Sequence, residues 1–142
     1  MTKLLKSSTV IAAAFAAYIF IVLSITLLSR DPIFSGIELD PIASYRRAAN
    51  APRHLAIIEI RNIILNIAMF VPLGIFLPLL FNKFRKIYIF LPIALLASSA
   101  IETAQLITRR GVFSIEDILH NTLGAALGLA IYAAFSKFFK KS

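Results

Sequence analysis

The sequence predicts an all-α integral membrane protein: a bundle of four transmembrane helices with a short interfacial helix or loop between the first and second. Three observations carry this expectation. Apolar residues fill 59% of the 142 positions and mean hydropathy is +0.85, well above the composition of a soluble domain. They are gathered into four runs of roughly twenty residues, long enough to cross a hydrocarbon core. The charges, 15 Lys and Arg against 7 Asp and Glu, lie mostly between those runs or near their ends. A length of 142 residues suits one transmembrane domain spanning 1–142.

The first span is expected over 8–29. Lys3 and Lys6 precede an apolar run from Val10 to Leu28, which is too long for the apolar core of a signal peptide and reads as a retained helix. The segment from Arg30 to His54 is the long polar connection, broken by Pro32, Gly36, Pro41 and Pro52. Within it, Asp40 before Pro41 has the form of a helix cap with proline at the first helical position. Ile42, Tyr45 and Ala49 then fall on one side and Arg46, Arg47 and Asn50 on another, which suits a short helix lying on a membrane surface.

The second span is expected over 57–81. Glu59, Asn62 and Asn66 recur at one helical face near its start, and Pro72, Gly74 and Pro78 predict a kinked or loosened helix beyond them. Asn82 to Lys86 makes a tight basic turn. The third span, 87–107, is apolar until Ser98 and Ser99, then carries Glu102 and Gln105, with Arg109 seven residues on from Glu102. The fourth is expected over 115–135. Ser114 and Asp117 have the spacing of a capping box at its start. Asp117, Asn121, Gly124 and Gly128 share one face, and the two glycines form a GxxxG pair that lets another helix approach closely, with a dimer seam as the alternative.

Four spans put both termini on one side. Lys3, Lys6, Lys83, Arg85, Lys86, Lys137, Lys140 and Lys141 are on that side, with no acidic residue among them. Arg30, Arg46, Arg47, Arg53, Arg109 and Arg110 are on the other, mixed with Asp31, Glu38, Asp40 and Glu116. The basic excess predicts that both termini are cytoplasmic. The start of the second span, the end of the third and the start of the fourth then share one depth. Glu59, Arg61, Asn62, Asn66, Glu102, Gln105, Arg109, Asp117, His120 and Asn121 all lie there, which predicts a single polar pocket opening outward.

Composition also excludes. A net charge of +8 in short clusters beside apolar runs suits anionic lipid head groups, so membrane lipids and not nucleic acid are the expected partners. With no cysteine there is no disulfide or thiol chemistry. His120 beside carboxylates is weak ground for a metal, and neither metal nor cofactor is expected. Glu102 and Asp117 are the candidates for acid–base catalysis. Against that stand an ion pair from Glu102 to Arg109 or Arg61, and a helix-start role for Asp117. Asn62, Asn66, Gln105 and Asn121 read as hydrogen bonds between helices or as ligand contacts. No serine or threonine near them has a histidine at helical spacing, and neither GxSxG nor HExxH occurs.

Asn66, Phe70, Pro72 and Gly74 (N-x3-F-x-P-x-G), Glu102, Gln105 and Arg109 (E-x2-Q-x3-R), and Asp117, Asn121, Gly124 and Gly128 (D-x3-N-x2-G-x3-G) follow in order. Together they resemble the VanZ-like family of small bacterial membrane proteins, named for a member associated with glycopeptide (teicoplanin-type) resistance. The resemblance covers roughly 61–132; it departs from the family pattern at LDPIASY and at Ser114. It implies a cell-envelope context. Three readings follow: a non-enzymatic protein binding or shielding a lipid-linked or peptide envelope ligand, a membrane enzyme using Glu102 and Asp117, and a transport or assembly subunit that would act as a homo-oligomer.

Overall fold

The computed structural model describes residues 2–32 and 34–139. Among them are five α-helices and two short strands. Helix α1 (Thr2–Leu23) runs on into a π-helical turn, Ser24–Leu28; strand β1 (Phe34–Glu38) and helix α2 (Ala43–Asn50) follow. Helix α3 (Arg53–Leu80), a 3-10 turn (Asn82–Arg85), helix α4 (Ile87–Ile107), strand β2 (Arg110–Ser114) and helix α5 (Ile115–Phe139) complete the chain. Four segments are long and apolar enough to cross a membrane: Ser8–Leu28, Arg53–Leu80, Ile87–Ile107 and Ile115–Lys137. Hydrocarbon offers no hydrogen bonds to a peptide backbone, so such runs must be helical.

Helix α5 is the centre of the bundle. About 39% of its span is buried in the protein against 11% for α1, which lies at the edge. Its most extensive partner is α3, and α4 packs on it too. The α3–α5 seam is built from backbone. A Cβ at Gly124 would run into the Ile67 carbonyl oxygen, one at Gly128 into that of Val71, and one at Gly74 into that of Ala125. Only hydrogen side chains allow that approach, and the expected packing role of Gly124 and Gly128 is realised within the chain. Pro72 and Pro78 are accommodated inside a continuous α3. The Tyr18 hydroxyl donates to the Met69 carbonyl, and Arg85 donates to that of Pro78.

The bundle divides along its length. Toward the Asn82–Arg85 turn, Phe70, Leu73, Leu77, Phe84, Phe90, Ala94, Ala125 and Leu129 form the buried apolar core. Toward the other end the buried side chains include many polar ones, Thr26, Ser44, Ser98, Glu102, Gln105, Ser114, Glu116, His120 and Asn121, beside a few apolar ones such as Ile63 and Ile118.

That polar end carries a feature not anticipated from sequence. Strands β1 and β2 pair in parallel, in register from Phe34 against Arg110 to Glu38 against Ser114. The connection after α1 is thereby bound to the turn before α5. Helix α2 starts at Ala43, slightly later than the Asp40-Pro41 signal, because the Asp40 side chain accepts the Ile42 amide in a turn ahead of it. Ile42 and Tyr45 are half exposed, while Ala43 and Ser44 are buried against the body of the protein.

Candidate functional site

Each polar side chain at this end is placed by a local rule. Ser114 caps α5, its hydroxyl accepting the Asp117 amide at 3.2 Å. In a capping box the third residue's carboxylate would return to the Ser114 amide. Here Glu102 does so from α4, its carboxylate accepting that amide at 3.0 Å. Asp117 is released from the cap and takes a hydrogen bond from Asn66, with the charges of His120, Glu116 and Arg30 close enough to act on it. The next residue along, Glu116, is only 1% exposed and accepts the Ser44 amide at 2.8 Å, tying α2 to α5. Beside that contact the Tyr45 hydroxyl and His120 Nε2 are 2.9 Å apart.

Other residues close off helix ends. The π-helical turn after α1 presents carbonyls that no intrahelical amide can reach. Gln105 donates to the Thr26 carbonyl at 3.2 Å. Arg110 donates one guanidinium nitrogen to the carbonyls of Leu27, Leu28 and Arg30. Deeper in, Asn121 donates to the Ser98 hydroxyl at 2.9 Å, joining α5 to α4. On the rim, Arg47 bonds Glu59 at 3.0 Å and lies 3.6 Å from Glu38. The hydrogen bond to Glu59, first among several causes, holds the Arg47 guanidinium above its ordinary pKa.

These groups surround a cavity of about 610 Å³. Asn62, Asn66, Glu102, Gln105, Asp117 and Asn121 all line it. Arg109 does not. Projecting Arg109 from Glu102 assumed an unbroken helix, but α4 ends at Ile107 and Arg109 takes a left-handed conformation with φ of 58°. Its side chain is exposed, and the ion pair from Glu102 to Arg109 or Arg61 is absent among the described residues. Glu102 is held by the Ser114 amide instead. His120 lies off the lining, paired with Tyr45.

Sequence reasoning passed over Arg30, Glu38, Ser44 and Arg47 as parts of the same lining, and Glu116 as the buried post beneath α2. Arg30 to Arg47 sit in the long connection, where no periodicity points inward. The available signal was charge alternation, with Glu38, Arg47 and Glu59 able to neutralise one another. Among the described residues no group of three or more His, Asp or Glu is arranged to hold a metal ion. Ser98, the most buried hydroxyl, is engaged by Asn121. What the lining offers is hydrogen bonding and charge: carboxylates from Glu38, Glu59, Glu102 and Asp117, guanidiniums from Arg30 and Arg47, and four amides.

A family model described as VanZ/LLP1 matches residues 13–136. No curated protein and no solved structure matches the chain. The match enters all four spans and contains every residue of the cavity lining. The chain is therefore a multi-pass membrane protein of the VanZ/LLP1 family.

Proposed function

We propose that this protein is a non-catalytic component of the bacterial cell envelope, in the cytoplasmic membrane, with its polar cavity facing away from the cytoplasm. The cavity takes the head of a lipid-linked or peptide envelope ligand, and occupancy alters the access of glycopeptide (teicoplanin-type) antibiotics to that ligand. One observation supports this reading above the rest. The cavity gathers amide, carboxylate and guanidinium groups from three helices and the long connection at one end of the bundle. Such a mixed lining suits recognition of a polar, hydrogen-bonding head group. Burying polar residues at the ends of spanning helices is costly without a role.

The test is expression in a glycopeptide-susceptible bacterium. Wild-type protein raises the minimal inhibitory concentration of teicoplanin and lowers labelling of the cell surface by a fluorescent glycopeptide. Asn62→Ala, on the exposed side of the lining, weakens both effects while leaving the amount of membrane-inserted protein unchanged. Equal susceptibility and equal labelling with and without expression would sink the reading.

A further inference from the structure

The cavity lining is chemically lopsided, and the imbalance says what kind of group it can hold. Arg47 is already used by Glu59 and Glu38 at the rim. That leaves Glu102 and Asp117 deeper in, with Arg30 as the remaining lining cation. One Glu102 oxygen takes the Ser114 amide; Asp117 has given its capping position to Glu102. Asn121 adds an independent observation. It is 1% exposed, lines the cavity, spends its NH2 group on Ser98, and has no partner for its Oδ1. The N-terminus of α5 supplies only about half a unit of positive charge to the acidic groups around it. An unpartnered Oδ1 acceptor and two carboxylates therefore line the same cavity, where Asn66 donates to Asp117, the Ser114 amide donates to Glu102, and the full positive charges near Asp117 are those of His120, off the lining, and Arg30.

A primary ammonium has three N–H donors and a full positive charge, which matches that set. A quaternary ammonium has no N–H donor and is recognised instead by aromatic faces. Among the described residues the cavity lining contains no aromatic side chain. Arg30 is the complementary half. It lies two residues past the π-helical turn, lines the same cavity, and makes no ion pair among the described residues. It lies close enough to Glu102 and Asp117 for its charge to act on both. A guanidinium beside an acceptor cluster suits an acid group carried by the same small molecule.

We infer that the cavity is a zwitterion site, with Asp117, Asn121 and Glu102 receiving a primary ammonium and Arg30 receiving the neighbouring phosphate or carboxylate. The inference rests on the ligand-binding reading above and names the chemistry of its ligand. Two sources share that chemistry: an aminated phospholipid head group, and a soluble amino acid, amino-ended peptide or phosphoamine.

The experiment uses the full chain purified in detergent. Its melting temperature and native mass spectrum are followed with short-chain phosphatidylethanolamine, phosphatidylglycerol and phosphatidylcholine, and separately with phosphoethanolamine and D-alanyl-D-alanine. Phosphatidylethanolamine or a soluble zwitterion binds and raises the melting temperature; phosphatidylglycerol and phosphatidylcholine at equal concentration do not. A response confined to the lipid places the source in the membrane, and a response confined to the soluble probes places it outside. Asp117→Asn and the exposed-rim variant Arg30→Gln each weaken binding about tenfold or more, as expected for losing one charge-assisted contact. Lys86→Gln, at the opposite end of the bundle, binds as wild type does. Equal binding of phosphatidylglycerol or phosphatidylcholine overturns the assignment of a primary-ammonium zwitterion; if Arg30→Gln abolishes that binding, a ligand cavity without a primary-ammonium preference survives. Failure of every zwitterion to bind also overturns it, and the susceptibility measurement then decides separately whether the broader reading stands.

Discussion

Two adjacent arginines show how much depends on where a helix stops. Arg109 occupies the left-handed position just past the end of α4, where a side chain other than glycine costs about 1–2 kcal/mol. Arg110, one residue later, spans three carbonyls at the end of α1. Arg109→Gly is expected to leave the melting temperature in detergent unchanged or slightly raised. Arg110→Gln should lower stability by about 1.5–3 kcal/mol, the worth of hydrogen bonds to a charged donor, read as a drop in the same melting temperature. The reverse order would contradict these roles. Sequence spacing alone picked Arg109, since helical projection continues past a terminus that only the backbone conformation reveals. Asn62, Asn66, Glu102, Gln105, Asp117 and Asn121 were legible as one lining, because each lies near a helix end whose depth follows from the span count. Glu116 was not legible. Its partner, the Ser44 amide, is 72 residues away along the chain and carries no mark in the sequence.

Among the elements, the α3–α5 seam is the most exacting. Three glycines place backbone against backbone, and no flexible side chain is available to yield. Gly128→Val should therefore cost at least the 1–3 kcal/mol typical of overpacking, visible as a lower melting temperature and less folded protein after detergent extraction. Ala130→Val, on the exposed side of the same helix, should behave as wild type. Equal effects of the two would argue against a close seam. The helices themselves were readable from apolar run length, and α4 lies over 87–107, where it was expected. The strands were not. Each is five residues long and gains its identity only from a partner in a distant connection.

For the whole molecule, the arrangement is polar at one end and apolar with a basic margin at the other. Lys83, Arg85 and Lys86 lie at the margin opposite the cavity, where Lys83 and Lys86 also sit over the rings of Phe84 and Tyr88. The excess of Lys and Arg on that side supports a cytoplasmic location for it. Because the natural chain lacks cysteine, single replacements report topology without background. In intact cells Ser35→Cys should react with a membrane-impermeant maleimide, and Asn82→Cys should react only after the membrane is opened. The opposite pattern would invert the orientation and place the cavity on the cytoplasmic side.

The parallel pairing of β1 with β2 has a consequence for biogenesis. The first strand leaves the ribosome long before the second, and α3 and α4 must both cross the membrane in between. Until then β1 has no strand partner, α2 has no Glu116 to hold its amide, and the end of α1 has no Arg110. The connection that forms one side of the site is therefore made early and completed last. The cavity becomes whole only when the final hairpin inserts, so its lining and the bundle are completed in the same step.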